Sequence, residues 1–306
     1  MKSLRRRHVL ILLPLILFAA APVFAQSTPS EPSTLQARID AAALALGSNP
    51  KFKHLSPKYR QGLVEFVSGN MLFVLLHELA HALTTEMDIP ILGRKEDAAD
   101  SFAVTRLIGL DTAFSDRVLV EAGKGWFLAG RRDKATGDPV PYYDEHGLDQ
   151  QRGYEIVCLM VGSGQEKYQH IADETKLPKA RQKSCAGDYN DASKSWAMVL
   201  KPHLRTPDEP KTKIDVVYGE AKGKLDTIAQ GLRSIKLLET VADRVANTYA
   251  WPAPFTIEIQ SCGFPNAQWV PETHKLTLCY ELAADFADLY RDYGGASTES
   301  RKRKSK

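Results

Sequence analysis

Several things are scarce in this 306-residue chain. None of its four cysteines stands in a CxxC pair, which argues against a cysteine-built zinc site. Past the N-terminus no apolar stretch reads as long enough to cross a bilayer. Basic and acidic residues nearly balance, 40 against 37, so there is no cationic footprint of the kind nucleic acid needs. Internal repeats and a low-complexity core are lacking too, which excludes solenoids and leaves one compact domain as the simplest expectation.

What the chain does have begins with "MKSLRRRHVLILLPLILFAAAPVFA". A basic start, an apolar run broken by Pro14 and small residues up to Ala25 read as a secretory signal peptide, residues 1–25, cleaved before Gln26. A retained N-terminal anchor is the alternative reading. Removal of Lys2, Arg5, Arg6 and Arg7 leaves 36 basic and 37 acidic residues, a formal charge of −1. Five of the remaining positives sit in the closing "RKRKSK", part of a basic tail expected over 294–306. The expected location is the periplasm or the outside of the cell, with no stable membrane span after cleavage. In that oxidising setting four cysteines predict two disulfides. Order along the chain suggests Cys158 with Cys185 and Cys262 with Cys279, one of three possible pairings.

Residues 26–55 read as a linker and N-terminal segment, with a short helix over "LQARIDAAALAL". The folded domain is expected over 56–293. It starts with a Ser-Pro cap at Ser56 and a helix that becomes apolar on nearly every side, as a central core helix would. Pro90 and Gly93 force a turn, and "RKEDAADSFAVTRLIGL" reads as a second helix with an acidic first turn. The stretch 105–215 reads as a helical middle ending in a Pro/charge-rich separator. Over 219–282 the pattern is one long amphipathic helix, "KLDTIAQGLRSIKLLETVADRVANTYAW", then strands "PFTIEIQSC" and "KLTLCYEL" joined as a hairpin. The fold class is therefore α+β, mostly helical, with a small C-terminal hairpin or sheet.

The chemistry lies in His77-Glu78-Leu79-Ala80-His81. In a helix, positions i and i+4 share a face one turn apart, so both imidazoles can bind one Zn2+ ion. Glu78 beside them is placed to act as general base toward a water. The alternative, two histidines satisfied within a core, would bury Glu78 without an evident partner, which is costly. A catalytic zinc needs a third protein ligand. HExxHxxGxxH would supply a histidine, but Thr84 and Met87 stand where its glycine and last histidine should be. The next helix offers Glu96, Asp97 and Asp100, with Glu96 and Asp100 on one face; the spacing leaves all three open.

The pair "HELAH" and "EDAAD" resembles the gluzincin metallopeptidases. The ExxAD form is similar to that of the prenyl-protein and heat-shock membrane endopeptidases. The resemblance implies Glu96 as third ligand and Asp100 as a carboxylate that orients a ligand from behind. Those families carry transmembrane helices that this chain does not show, so their substrates do not transfer. A longer resemblance, about Gly69 to Leu282, is carried by "GNMLFVLLHELAHAL", "LGRKEDAADSFA", "DEHGLDQQRGYEIVCLM" and "NAQWVPETHKLTLCYEL". These segments look like a family of bacterial secreted proteins described as metallopeptidases of unknown function, zincin-like in fold.

In "YYDEHGLDQQR", Tyr142, Tyr143 and His146 flank a helix start. Such groups can stabilise the oxyanion formed when water attacks a carbonyl; His146 could instead cap the helix or lie on the surface. The order of elements is also informative. Zinc peptidases commonly place a helix and sheet before the HExxH helix, whereas here the helix-plus-hairpin segment follows it. The expectation is a permuted arrangement, with the C-terminal hairpin beside the metal helix and an edge offered to an extended peptide. The functional expectation is a zinc peptidase acting on a peptide or protein; a metal-containing binding or scaffold protein with little hydrolysis is the alternative.

Overall fold

A computed structural model describes residues 34–137 and 139–294. The signal-peptide segment, residues 26–33 of the expected linker and N-terminal segment, and the basic tail from 295 lie outside the described residues. Helix α1 (Leu35–Ala45) starts at Thr34, whose hydroxyl accepts the Ala37 N–H. Helix α2 (Pro57–Glu86) starts at Ser56, whose Oγ accepts the Tyr59 N–H, with Pro57 in the first turn, where its missing donor costs nothing. Five further helices and a short one follow: α3 (Lys95–Ile108), α4 (Ala113–Thr136), α5 (Asp149–Ser163), α6 (Gln165–Glu174), α7 (Lys179–Gln182) and α8 (Cys185–Leu200).

The rest of the chain carries β1 (Ile214–Tyr218), α9 (Asp226–Ile235), α10 (Leu237–Thr248), β2 (Phe255–Gln260), β3 (Ala267–Val270), β4 (Lys275–Cys279) and α11 (Tyr280–Tyr293). Among the described residues the strands form one sheet in the order β1–β2–β4–β3. The first three run parallel, and β3 is the antiparallel edge.

Helix α2 is the centre of the fold, packed by α1, α3, α4, α11 and β3. Its composition explains the position. Phe66, Met71, Phe73, Leu75, Leu79 and Leu83 are fully buried, and each side chain of this kind gains about 1.5–3 kcal/mol by leaving water. By length and hydropathy alone α2 could cross a membrane, which corrects the sequence reading that no such stretch follows the N-terminus. However, 72% of its most apolar window is buried inside the fold, so it reads as a core helix. Close approach of α4 depends on Gly125, where a Cβ would collide with the Asn70 side chain. The Asn70 Nδ2 donates to Phe66 O within α2 and to Glu121 O across that crossing.

The structure corrects the sequence reading in three places. The long helix expected from Lys224 to Trp251 breaks at Lys236, which adopts the left-handed conformation at φ 54°. There Arg38 of α1 donates to the freed Ile235 carbonyl at 2.6 Å, so a tertiary contact stabilises the break. The strands expected to form a hairpin, β2 and β4, are parallel neighbours. The hairpin is β3–β4, and β3 lies in the stretch read as a loop. Strand β1 was also missed, whereas α4 to α8 fill the expected helical middle. β1 alternates half-buried and exposed residues over only five positions, too short to stand out beside a charged separator.

Both expected disulfides are present. Cys158–Cys185 ties α5 to the start of α8, and Cys262–Cys279 joins the C-terminal ends of the parallel strands β2 and β4. Two disulfides and no free cysteine point to an oxidising compartment.

Candidate metal centre

Helices α2 and α3, turned back on each other by residues 87–94, bring their polar faces together inside an apolar shell. Nε2 of His77 lies 3.0 Å from Oε2 of Glu96 and 3.1 Å from Nε2 of His81, and His81 Nε2 lies 3.2 Å from the same Glu96 oxygen. Ligand atoms held about 2.0–2.1 Å from a tetrahedral zinc are separated by roughly 3.3 Å. The three edges observed approach that length.

The donor set fits a cation for a second reason. His77 Nδ1 lies 2.7 Å from Asp100 Oδ1. A neutral imidazole that donates there turns the lone pair of Nε2 toward the cluster, where it meets a carboxylate oxygen and another imidazole nitrogen. Three electron-rich atoms converge on one point, and a proton or a metal ion must sit among them. Without metal the proton wins. Burial opposes charge on His77, but the hydrogen bonds and negative charges of Asp100 and Glu96 outweigh it and push its pKa up to about 9. Burial likewise opposes charge on Glu96, yet hydrogen bonds from His146, His77 and His81 hold it far below the ordinary carboxylate range.

Glu78 is buried, and its Oε2 accepts the backbone N–H of Trp269 in β3 at 3.0 Å. Burial raises its pKa, against the positive potential of His77 and His81. The C-terminal sheet does pack beside α2, but the strand that reaches Glu78 is β3, and the β2–β4 hairpin expected there is not formed. Asp100 accepts a two-pronged contact from Arg152 of α5, Nε to Oδ2 at 2.7 Å and Nη2 to Oδ1 at 2.8 Å. Its pKa falls to about 2, because that guanidinium and His77 outweigh burial.

His146 joins the cluster from the loop before α5, with Nε2 3.1 Å from Glu96 Oε2. Its own N–H donates to Asp144 Oδ1 at 2.8 Å, and its Nδ1 lies 3.2 Å from the same oxygen. Arg94 anchors the loop by donating to Glu145 O at 2.6 Å. The Glu96 carboxylate raises the His146 pKa. Asp97 is turned toward Arg94, 3.8 Å away, and is not among the converging atoms. Tyr142 and Tyr143 are exposed. Grouped by mutual distance, His77, Glu96 and His146 also form a possible metal-binding trio. It shares two members with the set containing His81, and the two candidate third members lie at nearly equal distance from Glu96 Oε2, His146 Nε2 at 3.1 Å and His81 Nε2 at 3.2 Å.

Sequence reasoning missed Arg152 and Trp269. Arg152 left one trace, as the one basic residue of α5. Trp269 left none, since its backbone rather than its side chain reaches the site.

A protein family described as "Putative metallopeptidase" matches residues 45–200 and 219–306. The chain belongs to this family. The match spans the HExxH helix, the Glu96 helix, the His146 loop and strands β2 to β4, so this metallopeptidase-family chain carries the converging His/Glu cluster within matched sequence. Neither the curated proteins nor the solved structures give a match. Membership supports metal-dependent hydrolysis at a coarse level.

Proposed function

We propose that this chain is an exported zinc-dependent peptidase in which His77, His81 and Glu96 hold zinc and Glu78 is the general base. The observation that carries this reading is the near-tetrahedral spacing of the three ligand atoms beside a buried glutamate. A zinc ion held there would polarise the scissile carbonyl and acidify a water molecule near neutral pH. Glu78 takes the proton of the attacking water and later gives it to the leaving amine nitrogen. The Trp269 N–H fixes one oxygen of the Glu78 carboxylate and so orients the other. His146, whose pKa the Glu96 carboxylate raises, would donate to the oxyanion. β3, as the sheet edge nearest the metal helix, offers backbone groups to an extended peptide or protein substrate. The disulfides and the signal-like N-terminus support a periplasmic or secreted location.

A second reading has one observation in its favour. If His146 Nε2, 3.1 Å from Glu96 Oε2, were a fourth ligand, the site would be closed, as structural zinc sites are. The protein would then be a metal-containing binding or scaffold protein with little hydrolysis.

The test is zinc content by mass spectrometry together with peptide-library hydrolysis, on wild type, Glu78→Gln and His77→Ala. The peptidase reading expects about one zinc per chain in wild type and Glu78→Gln, loss in His77→Ala, and cleavage by wild type only. Zinc without cleavage by any sample favours the closed site; a folded wild type that takes up no metal overturns both.

A further inference from the structure

We infer that Arg152 is a positioning residue of the metal centre, acting on His77 through Asp100; the inference rests on the metal-site reading above. Three donors converge on the Asp100 carboxylate. Oδ1 accepts from His77 Nδ1 at 2.7 Å and from Arg152 Nη2 at 2.8 Å, while Oδ2 accepts from Arg152 Nε at 2.7 Å. The guanidinium is planar, and its two parallel bonds stop the carboxylate from rotating about its last torsion. A lysine at this point would supply charge but could not fix that angle.

The guanidinium is itself fixed. Its central carbon sits 3.6 Å from the centre of the Trp126 ring on α4, a contact that holds a cation by its flat face. Only 8% of Arg152 is exposed. Burying an arginine so far is costly unless its bonds are well made, and here the strongest of them are spent on one carboxylate. Side chains of α2, α3, α4 and α5 thus meet in one line: His77, Asp100, Arg152, Trp126. The effect at the near end is on a ring. With Asp100 held still, His77 donates from Nδ1 and keeps the lone pair of Nε2 aimed at Glu96 and His81. If Asp100 could rotate, that aim would be lost while all metal-contacting side chains stayed in place. Arg152 also sits at the start of α5, six residues after His146, so the same anchor sets where the His146 loop ends.

The experiment is a double-mutant cycle on metal affinity, using zinc with a chromophoric chelator as competitor and the visible spectrum of the cobalt-loaded protein as a report of ligand geometry. Arg152→Met is expected to weaken zinc binding about 10–100-fold and to shift the cobalt bands, with near-ultraviolet circular dichroism unchanged. In an Asp100→Asn background the same substitution is expected to weaken binding less than about twofold, because the path through Asp100 is already cut. If Arg152→Met does not fold, Arg152→Lys serves: a weakening of several-fold with altered cobalt bands is expected, and affinity and spectrum equal to wild type overturn the inference. Wild-type affinity in Arg152→Met, or an equal loss in both backgrounds, also overturns it while leaving the metal site intact. A folded wild type that binds neither zinc nor cobalt removes the metal-site reading and this inference with it.

Discussion

The backbone N–H of Trp269 donates to Oε2 of Glu78 at 3.0 Å, across 191 positions of chain. An edge strand that folds from the last quarter of the sequence therefore sets the orientation of a carboxylate in the first third. Hydrogen bonds to charged groups contribute about 1.5–3 kcal/mol, so loss of this donor should be felt as activity. Trp269→Ala keeps the N–H and removes the ring, while Trp269→Pro removes both. On the peptidase reading, kcat/KM for Trp269→Pro should fall at least about tenfold below that of Trp269→Ala. Equal values in the two variants, with equal melting temperatures, would show that the bond does not orient the base.

Protonation of His77 should be visible as a pH-dependent gap between metal-free and metal-loaded protein. His77 holds its proton in the folded, metal-free state up to about pH 9, against an ordinary 6.5. Its contribution to stability is thus complete below about 6.5 and is lost as pH rises through 9. Asp100, lowered from 3.8 to about 2, contributes above 3.8 and loses that contribution as pH falls through 2. On the zinc-site reading the metal competes with the His77 proton, so its binding strengthens over the same interval. Melting temperatures of chelator-treated and zinc-loaded samples should diverge from pH 6 to pH 9. Parallel curves would mean that His77 does not exchange a proton for the metal.

Glu155, on the same helix as Arg152, gives a separate pH signal. Burial, with Asp100 and Asp97 nearby, raises its pKa to about 7 from 4.5. Stability is then lost as pH rises through 7, as the folded protein must ionise a carboxyl it prefers neutral. Glu155→Gln should leave the melting temperature unchanged at pH 4 and raise it by about 2–4 °C at pH 8. A decrease at pH 8 would mean that the ionised group has a partner that offsets its burial.

The sequence was most legible where function writes itself into one helix. His77, Glu78 and His81 stand out by their spacing, and the acidic face of α3 narrows a third ligand to a few carboxylates, of which Glu96 is the one whose oxygen converges on His77 and His81. The bounds of α2 and α3 follow from periodicity and from the residues that flank them, the Ser56 cap before α2 and the Pro90 to Gly93 turn before α3. What could not be read is what other chain segments supply. Lys236 breaks a helix whose periodicity continues through it, and the break is held by Arg38 almost 200 residues away. β2 and β4 look like hairpin partners because each alternates, but alternation carries no direction, and the short β3 between them takes the antiparallel place. Arg152 and Trp269 reach the centre through tertiary packing alone.

Gly125 marks a packing limit that should be measurable. A Cβ there would meet the Asn70 side chain at the crossing of α4 over α2, and Asn70 is tied to Phe66 O and Glu121 O. Gly125→Ala gains helix propensity but must push Asn70 aside, and overpacking of this kind costs about 1–3 kcal/mol. Chemical denaturation should show a net loss. With the neighbour also shortened, as in Gly125→Ala/Asn70→Ala, part of the steric cost should return; no recovery would place the strain elsewhere.

The two disulfides should separate in their effect on the site. Cys158–Cys185 closes 27 residues and Cys262–Cys279 closes 17, and loops of these lengths each correspond to about 3 kcal/mol of unfolding free energy. By loop length alone the first should matter slightly more. The second, however, encloses β3 and the turn to β4, and its ends are fastened further: Cys279 N–H donates to Asn266 O, and Glu281 accepts the N–H groups of Cys262 and Gly263. Replacing Cys262 and Cys279 by serine should therefore free the strand that reaches Glu78, whereas the same change at Cys158 and Cys185 should loosen α5 against α8. Amide exchange of Trp269 reads the difference. It should quicken in the 262/279 variant at a denaturant-free pH where the 158/185 variant still protects it. Equal exchange in the two variants would mean that β3 opens only with the whole domain, and that the Glu78 contact is held by the sheet rather than by the covalent loop around it.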